Sequence, residues 1–382
     1  MYQKFYSDFL KAHKNQIHLA AHSHHFWPDS AKKGHLESYE KAVLLSDKKW
    51  EYVFETLIPE IKKIIASQIH FTRPQDISFA SNTHELITKV ISSYFEQKEI
   101  KILTSTCEFH SVARQLKRFE EDKKFQIDYL DPEDDSFENT LETKLSQNNY
   151  DIILLSHVFY NSGKILSHQL IQKIIKLKGK ASFLLDAYHG FCAVETDIAP
   201  YENDLYYLAG GYKYAQAGEG MCFMTIPSNC QLRPQITGWF ASFSTLEKTV
   251  AQTRTNYDDN GMRFWGSTQE MSAFYRFRSV WKHFHQENIK IKDFHHYIKK
   301  LQKSFLENNP LADQFIEKNL EQCGQFLTLD LATTEKTQKT HFQLLNKGIL
   351  TDFRGTRLRF GFAPYLSHND ILAAKQALNS LK

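Results

Sequence analysis

The sequence predicts an α/β protein: a large, doubly wound sheet domain followed by a smaller α+β unit. Three observations carry this. From Ile77 onward, short apolar runs alternate with amphipathic stretches, the pattern of βαβ units. After about Phe240 the alternation gives way to long helical runs. The chain of 382 residues is also longer than one ordinary domain needs.

Seven runs read as strands: residues 77–80, 100–104, 125–130, 151–156, 181–186, 205–209 and 221–226. Each is short, apolar and bounded by turn residues. The stretches after Glu85, His110, Ser136 and Ser167 have helical spacing. Leu170, Ile171, Ile174, Ile175 and Leu177 mark one apolar helix face. A charged, loop-like stretch over 247–261 leads into helical runs over 269–286 and 289–307. Strands at 326–331 and 356–361 follow, separated by a helical run, and a helix from His368 closes the chain. The division expected is an N-terminal arm over 1–30, a large domain over 31–245 and a small domain over 246–382. The arm fits neither pattern clearly.

Composition narrows the function classes. A hydrophobic content of 42% with 24% charged residues excludes a disordered chain. A net charge of +3 gives no electrostatic reason to expect nucleic acid. The five cysteines are scattered, odd in number and without CxxC spacing. That pattern points to reduced thiols, and away from a disulfide framework or a structural zinc site. Charges interrupt every apolar run near the N-terminus, and no run approaches the ~18 residues of a membrane span. A soluble, cytoplasmic protein with no membrane partner is expected.

Chemistry concentrates between Phe183 and Gly220. FLLDAYHG ends a buried strand with Asp186, and His189 follows three residues on. YYLAGGYKYAQAGEG ends a second strand and carries Lys213 in a glycine-rich turn. In open α/β sheets the carboxyl ends of strands are where ligands bind. An acid and an amine delivered to that edge suit a pyridinium cofactor: the acid holds the ring nitrogen protonated, and the amine forms a Schiff base with the aldehyde. An ordinary salt bridge is the alternative.

SNTHEL follows the strand at 77–80 and opens a helix. Ser81 or Asn82 can cap it, with Glu85 placed for a capping box. Such a helix start is either only a good cap or an anion site with free N–H groups aimed at a phosphate. Beside Asp186 and Lys213, the phosphate grip is the better reading.

At this point the residues amount to a resemblance. GGYKY with a downstream GxG, LDAYHG, TGWF, FWGSTQ and DFRGTRLRFGFAP stand in an order similar to that of the class V group of fold-type I pyridoxal-phosphate enzymes. Within that group the chain most resembles kynureninase, from about Ser81 to Pro364. The resemblance implies a large, mixed, mostly parallel sheet, a homodimer, and pyridoxal 5′-phosphate (PLP) carried as a Schiff base on Lys213. Lys213 would also shuttle the α-proton and Asp186 would pair with the pyridinium, with His189 beside it. Asn82, Thr83 and Tyr212 match phosphate contacts. Phe109 matches the aromatic that stacks on the ring, and Ser156 a cofactor-side hydroxyl. Trp239 and Thr268 match further phosphate or substrate positions, some supplied across a subunit interface in such folds. Arg359 matches the arginine that clamps the substrate α-carboxylate, a task its planar guanidinium suits. The activity implied is hydrolytic Cβ–Cγ cleavage of kynurenine or a related amino acid to alanine and an aromatic acid. A related class V lyase or aminotransferase is the alternative, as is a non-catalytic PLP-binding paralogue.

The chain departs from the family in three places. Val112 stands where kynureninases carry an acid. YKYAQAGEG replaces the family's Asn and Pro after the lysine. An Asn-Ser-Leu-Gly turn near the N-terminus is replaced by AAHSHHFWP. His22, Ser23, His24 and His25 line the substrate mouth, form a solvated loop or bind a metal. For the metal, no acid or cysteine stands at ligand spacing, and none is expected. Cys323, just before a strand and without a flexible Ser/Gly-rich loop, reads as packing rather than as a desulfurase nucleophile.

Overall fold

The computed structural model describes residues 2–245 and 254–381. The expected boundary between 245 and 246, and the start of the charged stretch from Glu247, touch residues outside that range.

Seven strands form the main sheet: β1 (Ile77–Ala80), β2 (Ile100–Ser105), β3 (Phe125–Leu130), β4 (Ile152–Ser156), β5 (Ser182–Asp186), β6 (Leu205–Gly210) and β7 (Cys222–Thr225). Their spatial order is β1-β7-β6-β5-β4-β2-β3. Six of them run in one direction, whereas β7 is antiparallel to both of its neighbours, β1 and β6. The sheet is therefore mixed and mostly parallel. The exception has a local cause: no helix separates β6 from β7, and a glycine-rich turn can only return the chain antiparallel. Strands β4 to β7 are buried along their lengths except at Ser182, as strands covered on both faces must be.

Two long helices, α1 (Asp29–Leu45) and α2 (Ile58–Ile69), precede the sheet, along with short helical turns at Ser7–Ala12 and Lys49–Tyr52. The helices α3 (Thr83–Ser92), α4 (His110–Glu120), α5 (Phe137–Gln147) and α6 (His168–Leu177) fill the crossovers. Beyond the sheet lie α7 (Ser272–Gln286) and α8 (Ile291–Leu306). α1 packs along α7, and Gly34 makes the crossing possible. A β-carbon there would sit 2.4 Å from the Tyr275 carbonyl oxygen.

The C-terminal unit holds a three-stranded antiparallel sheet of β8 (Phe326–Asp330), β9 (Asp352–Arg354) and β10 (Arg357–Gly361), in the order β9-β10-β8. Helices α9 (Thr334–Asn346) and α10 (His368–Asn379) accompany it. The N-terminal stretch joins this unit. Ile17–His18 pairs in parallel with Ile349–Leu350, and Ala20 bridges to Gly361. Rings from both chain ends then pack together: Phe26 stacks on Tyr365 at 4.7 Å and on His18 at 4.2 Å. Among the described residues no helix is long and apolar enough to cross a membrane.

Candidate active site

A cavity of about 490 Å³ opens where β4 and β5 end, between the main sheet, the C-terminal sheet and the N-terminal turn. Ser156 and Asp186 are the last residues of their strands and lie directly in register, so both emerge at this edge. Lys213 follows the end of β6 by three residues and is also part of the wall. Of the other residues expected from the sequence, Ser23, Asn82, Thr83, Phe109, His189, Tyr212 and Arg359 line the same cavity.

Asp186 and Lys213 form no ion pair. The Lys213 amine donates to the His22 carbonyl at 2.8 Å and is hydrogen-bonded to His189 Nε2. Burial, and then the charge of Arg359, draw its pKa down to about 7, against the opposing pull of Asp186 and Asp352. A lysine in that state offers a neutral, nucleophilic amine near neutral pH. Burial pushes the Asp186 carboxyl up to about 6, although the Tyr188 amide bonds it at 2.9 Å and Lys213 lies near. Burial and the Lys213 charge hold His189 well below the usual histidine range, so its ring is neutral.

The α3 terminus is capped by Asn82, whose side chain accepts from the Glu85 amide at 3.0 Å. The amides of Thr83 and His84 have no acceptor within the helix, and both residues line the cavity. Phe109 caps α4 by position only, is 43% exposed, and its ring centre lies 5.9 Å from Lys213 Nζ. Its neighbour Glu108 is buried and accepts from Ser105 and Ser156 hydroxyls, both at 2.6 Å, and from the Ser156 amide at 3.1 Å. Burial pushes Glu108 up to about 7. Ser156 therefore faces a carboxyl behind the wall as well as the cavity. Val112, where an acid was expected by resemblance, is buried on α4 against an apolar cluster.

Arg359 sits mid-strand in β10 and is 3% exposed. It donates to the Tyr160 carbonyl at 2.6 Å and to Asp352 Oδ2, while its buried Nε has no partner. Arg359 as a residue lines the cavity, and a planar guanidinium there suits a carboxylate. Asp352, in β9 beside Arg359, also accepts from Arg354 at 2.7 Å.

The histidine-rich turn divides among several partners. His22 is not at the mouth: its ring is wholly buried and stacks on Phe326 at 4.9 Å. The close passage of the chain past Gly361 drives it inward. Ser23 lines the cavity but donates its hydroxyl to Asp352. His24 lines it too and bonds the Tyr212 hydroxyl, whereas His25 is buried against Tyr365. Among the described residues no three His, Cys, Asp or Glu side chains gather as a metal site. Trp239, 48% exposed, and Thr268, which borders a neighbouring cavity with Lys89, lie outside the cavity that holds Lys213. Cys323 is buried, its thiol donates to the Phe326 carbonyl at 3.0 Å, and burial pushes it up to about 12. Sequence reading missed Glu108, Tyr160 and Asp352. Only Asp352 left a trace, in the DFR of the motif that carries Arg359.

The chain belongs to the class V aminotransferase family, whose model matches residues 32–349. The cofactor of this family is PLP, held through a lysine, and among the described residues Lys213 is the one lysine lining this cavity. The backbone is similar to that of a C-DES mutant with glycine covalently linked to the PLP cofactor, at a TM-score of 0.81 and 14% identity over 100% of each chain. It is also similar to the cystine C–S lyase C-DES in complex with its reaction product, cysteine persulfide, at 0.78 and 14%, covering 97% of this chain and 99% of that one. The apo cysteine desulfurase of Thermococcus onnurineus aligns at 0.80 and 16%, covering 96% and 95%. No curated protein sequence matches the chain.

The residues present fit the cofactor. The first-turn amides of α3, which have no acceptor within the helix, suit its phosphate, Phe109 offers a ring face, and Asp186 is a buried carboxyl in need of a cationic partner.

Proposed function

We propose that the protein is a PLP-dependent lyase acting on a small α-amino acid that carries a leaving group on Cβ. The observation that carries this reading is the joint lining of one cavity by Lys213, Asp186 and Arg359, with no cysteine in its wall. Cys323 is buried and held as the thiol, so it offers no thiolate to take up sulfur.

The bound cofactor supplies an electron sink for charge developing at Cα. Arg359 would take the substrate carboxylate. Asp186 would keep a proton on the ring nitrogen. Phe109 would cover the ring, and the α3 amides with Thr83 and Tyr212 would hold the phosphate. Lys213 would act as the base that removes the proton from Cα, which sets up loss of the group on Cβ. The unit is a homodimer, in which Trp239 and Thr268 serve the cavity of the neighbouring subunit.

A second reading is favoured by the aromatic wall of Phe109, Tyr160, Tyr188 and Tyr212, together with the motif DFRGTRLRFGFAP. It is kynureninase-type hydrolysis of the Cβ–Cγ bond, giving alanine and an aromatic acid such as anthranilate.

The test is to mix the cofactor-loaded enzyme separately with L-cystine, L-cysteine, kynurenine and 3-hydroxykynurenine. Pyruvate and ammonia from the sulfur amino acids support the lyase. Anthranilate-type fluorescence with alanine supports the second reading instead. Product formation that survives in Lys213→Ala would sink both.

A further inference from the structure

Three consecutive residues of the N-terminal turn each bond a different part of the site. The His22 carbonyl accepts from Lys213 at 2.8 Å, the Ser23 hydroxyl donates to Asp352 Oδ2, and His24 Nδ1 is hydrogen-bonded to the Tyr212 hydroxyl. The turn is itself held in place. The Ser23 and His24 amides donate to the Ala20 carbonyl at 2.9 and 3.0 Å, and Ala20 bridges to Gly361. Of these three contacts only that of His24 uses an imidazole; His22 acts through its backbone.

The Ser23 contact bears directly on Arg359. Asp352 Oδ2 accepts from both the Ser23 hydroxyl and the Arg359 guanidinium, while Oδ1 is taken by Arg354. Asp352 thus meets Arg359 through one oxygen only. An unrestrained carboxylate beside a guanidinium prefers the two-oxygen, bidentate pairing. In that geometry it would occupy the donors a substrate carboxylate needs.

On the reading that Arg359 takes the α-carboxylate, we propose that Ser23 is a positioning residue that keeps Asp352 from closing over the Arg359 guanidinium. The turn at residues 22–24 thereby ties the carboxylate clamp to Lys213. Removing the hydroxyl frees Asp352 to compete with the substrate, so affinity falls for ligands that carry a carboxylate and only for those.

The experiment uses the cofactor-loaded protein and two probes, L-alanine and ethylamine, each titrated while the visible absorbance of the cofactor is followed. Both present a primary amine to the cofactor, but only L-alanine needs the clamp. In Ser23→Ala the L-alanine affinity should fall roughly tenfold, the scale of one hydrogen bond to a charged group. Ethylamine affinity and cofactor content should stay unchanged, and Ser23→Thr should restore L-alanine binding. Unchanged L-alanine affinity in Ser23→Ala overturns the proposal, as does an equal weakening of both probes. Arg359→Met separates the two layers. If it weakens L-alanine and Ser23→Ala does not, the proposal alone falls; if neither variant weakens L-alanine, the role of Arg359 falls with it.

Discussion

The Arg359 guanidinium and the Lys213 amine share one cavity, where burial, and then the charge of the arginine, hold the lysine toward its neutral form. On the proposed reading, the residue that receives the substrate carboxylate also tunes the nucleophile. Neutralising Arg359 with a bound carboxylate relieves that pressure, so Lys213 becomes a better proton acceptor once substrate is seated.

Cofactor capture should follow this electrostatics. Lys213 is neutral above its pKa, which burial and Arg359 draw down to about 7. The rate of PLP uptake by the apoprotein should therefore rise through about pH 7, well below the range of an ordinary lysine. Removing a positive neighbour raises a lysine pKa, so Arg359→Met should move the midpoint to higher pH. Stopped-flow absorbance across the pH range checks both.

Lys213→Ala should abolish covalent attachment. Borohydride reduction followed by peptide mass analysis should place the cofactor on Lys213 in the parent and nowhere in the variant. Turnover should drop by roughly a thousandfold or more, as expected when a general base is lost.

Glu108 predicts a pH-dependent stability term. Its folded pKa is raised to about 7 by burial. In the unfolded chain it ionises near the ordinary carboxylate value, so the folded state loses ground as pH rises from there to about 7 and is level above. The scale is on the order of 3 kcal/mol. Glu108→Gln keeps the acceptor for Ser105 and the Ser156 amide but cannot ionise. Its melting temperature relative to the parent should climb between those limits, at fixed cofactor loading; a flat difference would contradict the assignment.

Gly361→Ala should disturb the N-terminal turn. The new β-carbon would lie 2.3 Å from His22 Nδ1 and 2.7 Å from the His22 amide nitrogen. Backbone cannot yield cheaply there, and overpacking of this kind costs about 1–3 kcal/mol. Thermal unfolding should show the loss, accompanied by weaker amino-acid binding.

The strands of the main sheet were legible because each is a short apolar run ending at a turn, and β1 to β7 fall within about a residue of the expected limits. Asp186, Lys213 and Ser156 were legible for a related reason: strand ends converge, so residues at them must meet. α1 was not, because it buries little beyond Ser30, Ala31 and Gly34 and exposes Leu36, Tyr39, Val43 and Leu44. Helical periodicity needs a wide apolar face to be read, and this one is narrow. The placing of His22 and Ser23 was hidden as well. It depends on two-residue pairings between the ends of the chain, which leave no periodic signal. Glu108 and Asp352 carry roles fixed by their neighbours in space, and a carboxylate does not announce its partners in sequence.

The pairing of Ile17–His18 with Ile349–Leu350 has a consequence for biosynthesis. A ribosome makes the turn at residues 22–24 long before the strand it leans on. The parallel core can condense during translation, as domains generally do. The wall formed by residues 22–24 and Arg359 cannot close until the C-terminal unit has left the exit tunnel. Nascent chains should therefore stay unable to hold an amino acid until residues 349–361 have emerged, which keeps the amine of Lys213 from acting on substrate before its carboxylate clamp exists.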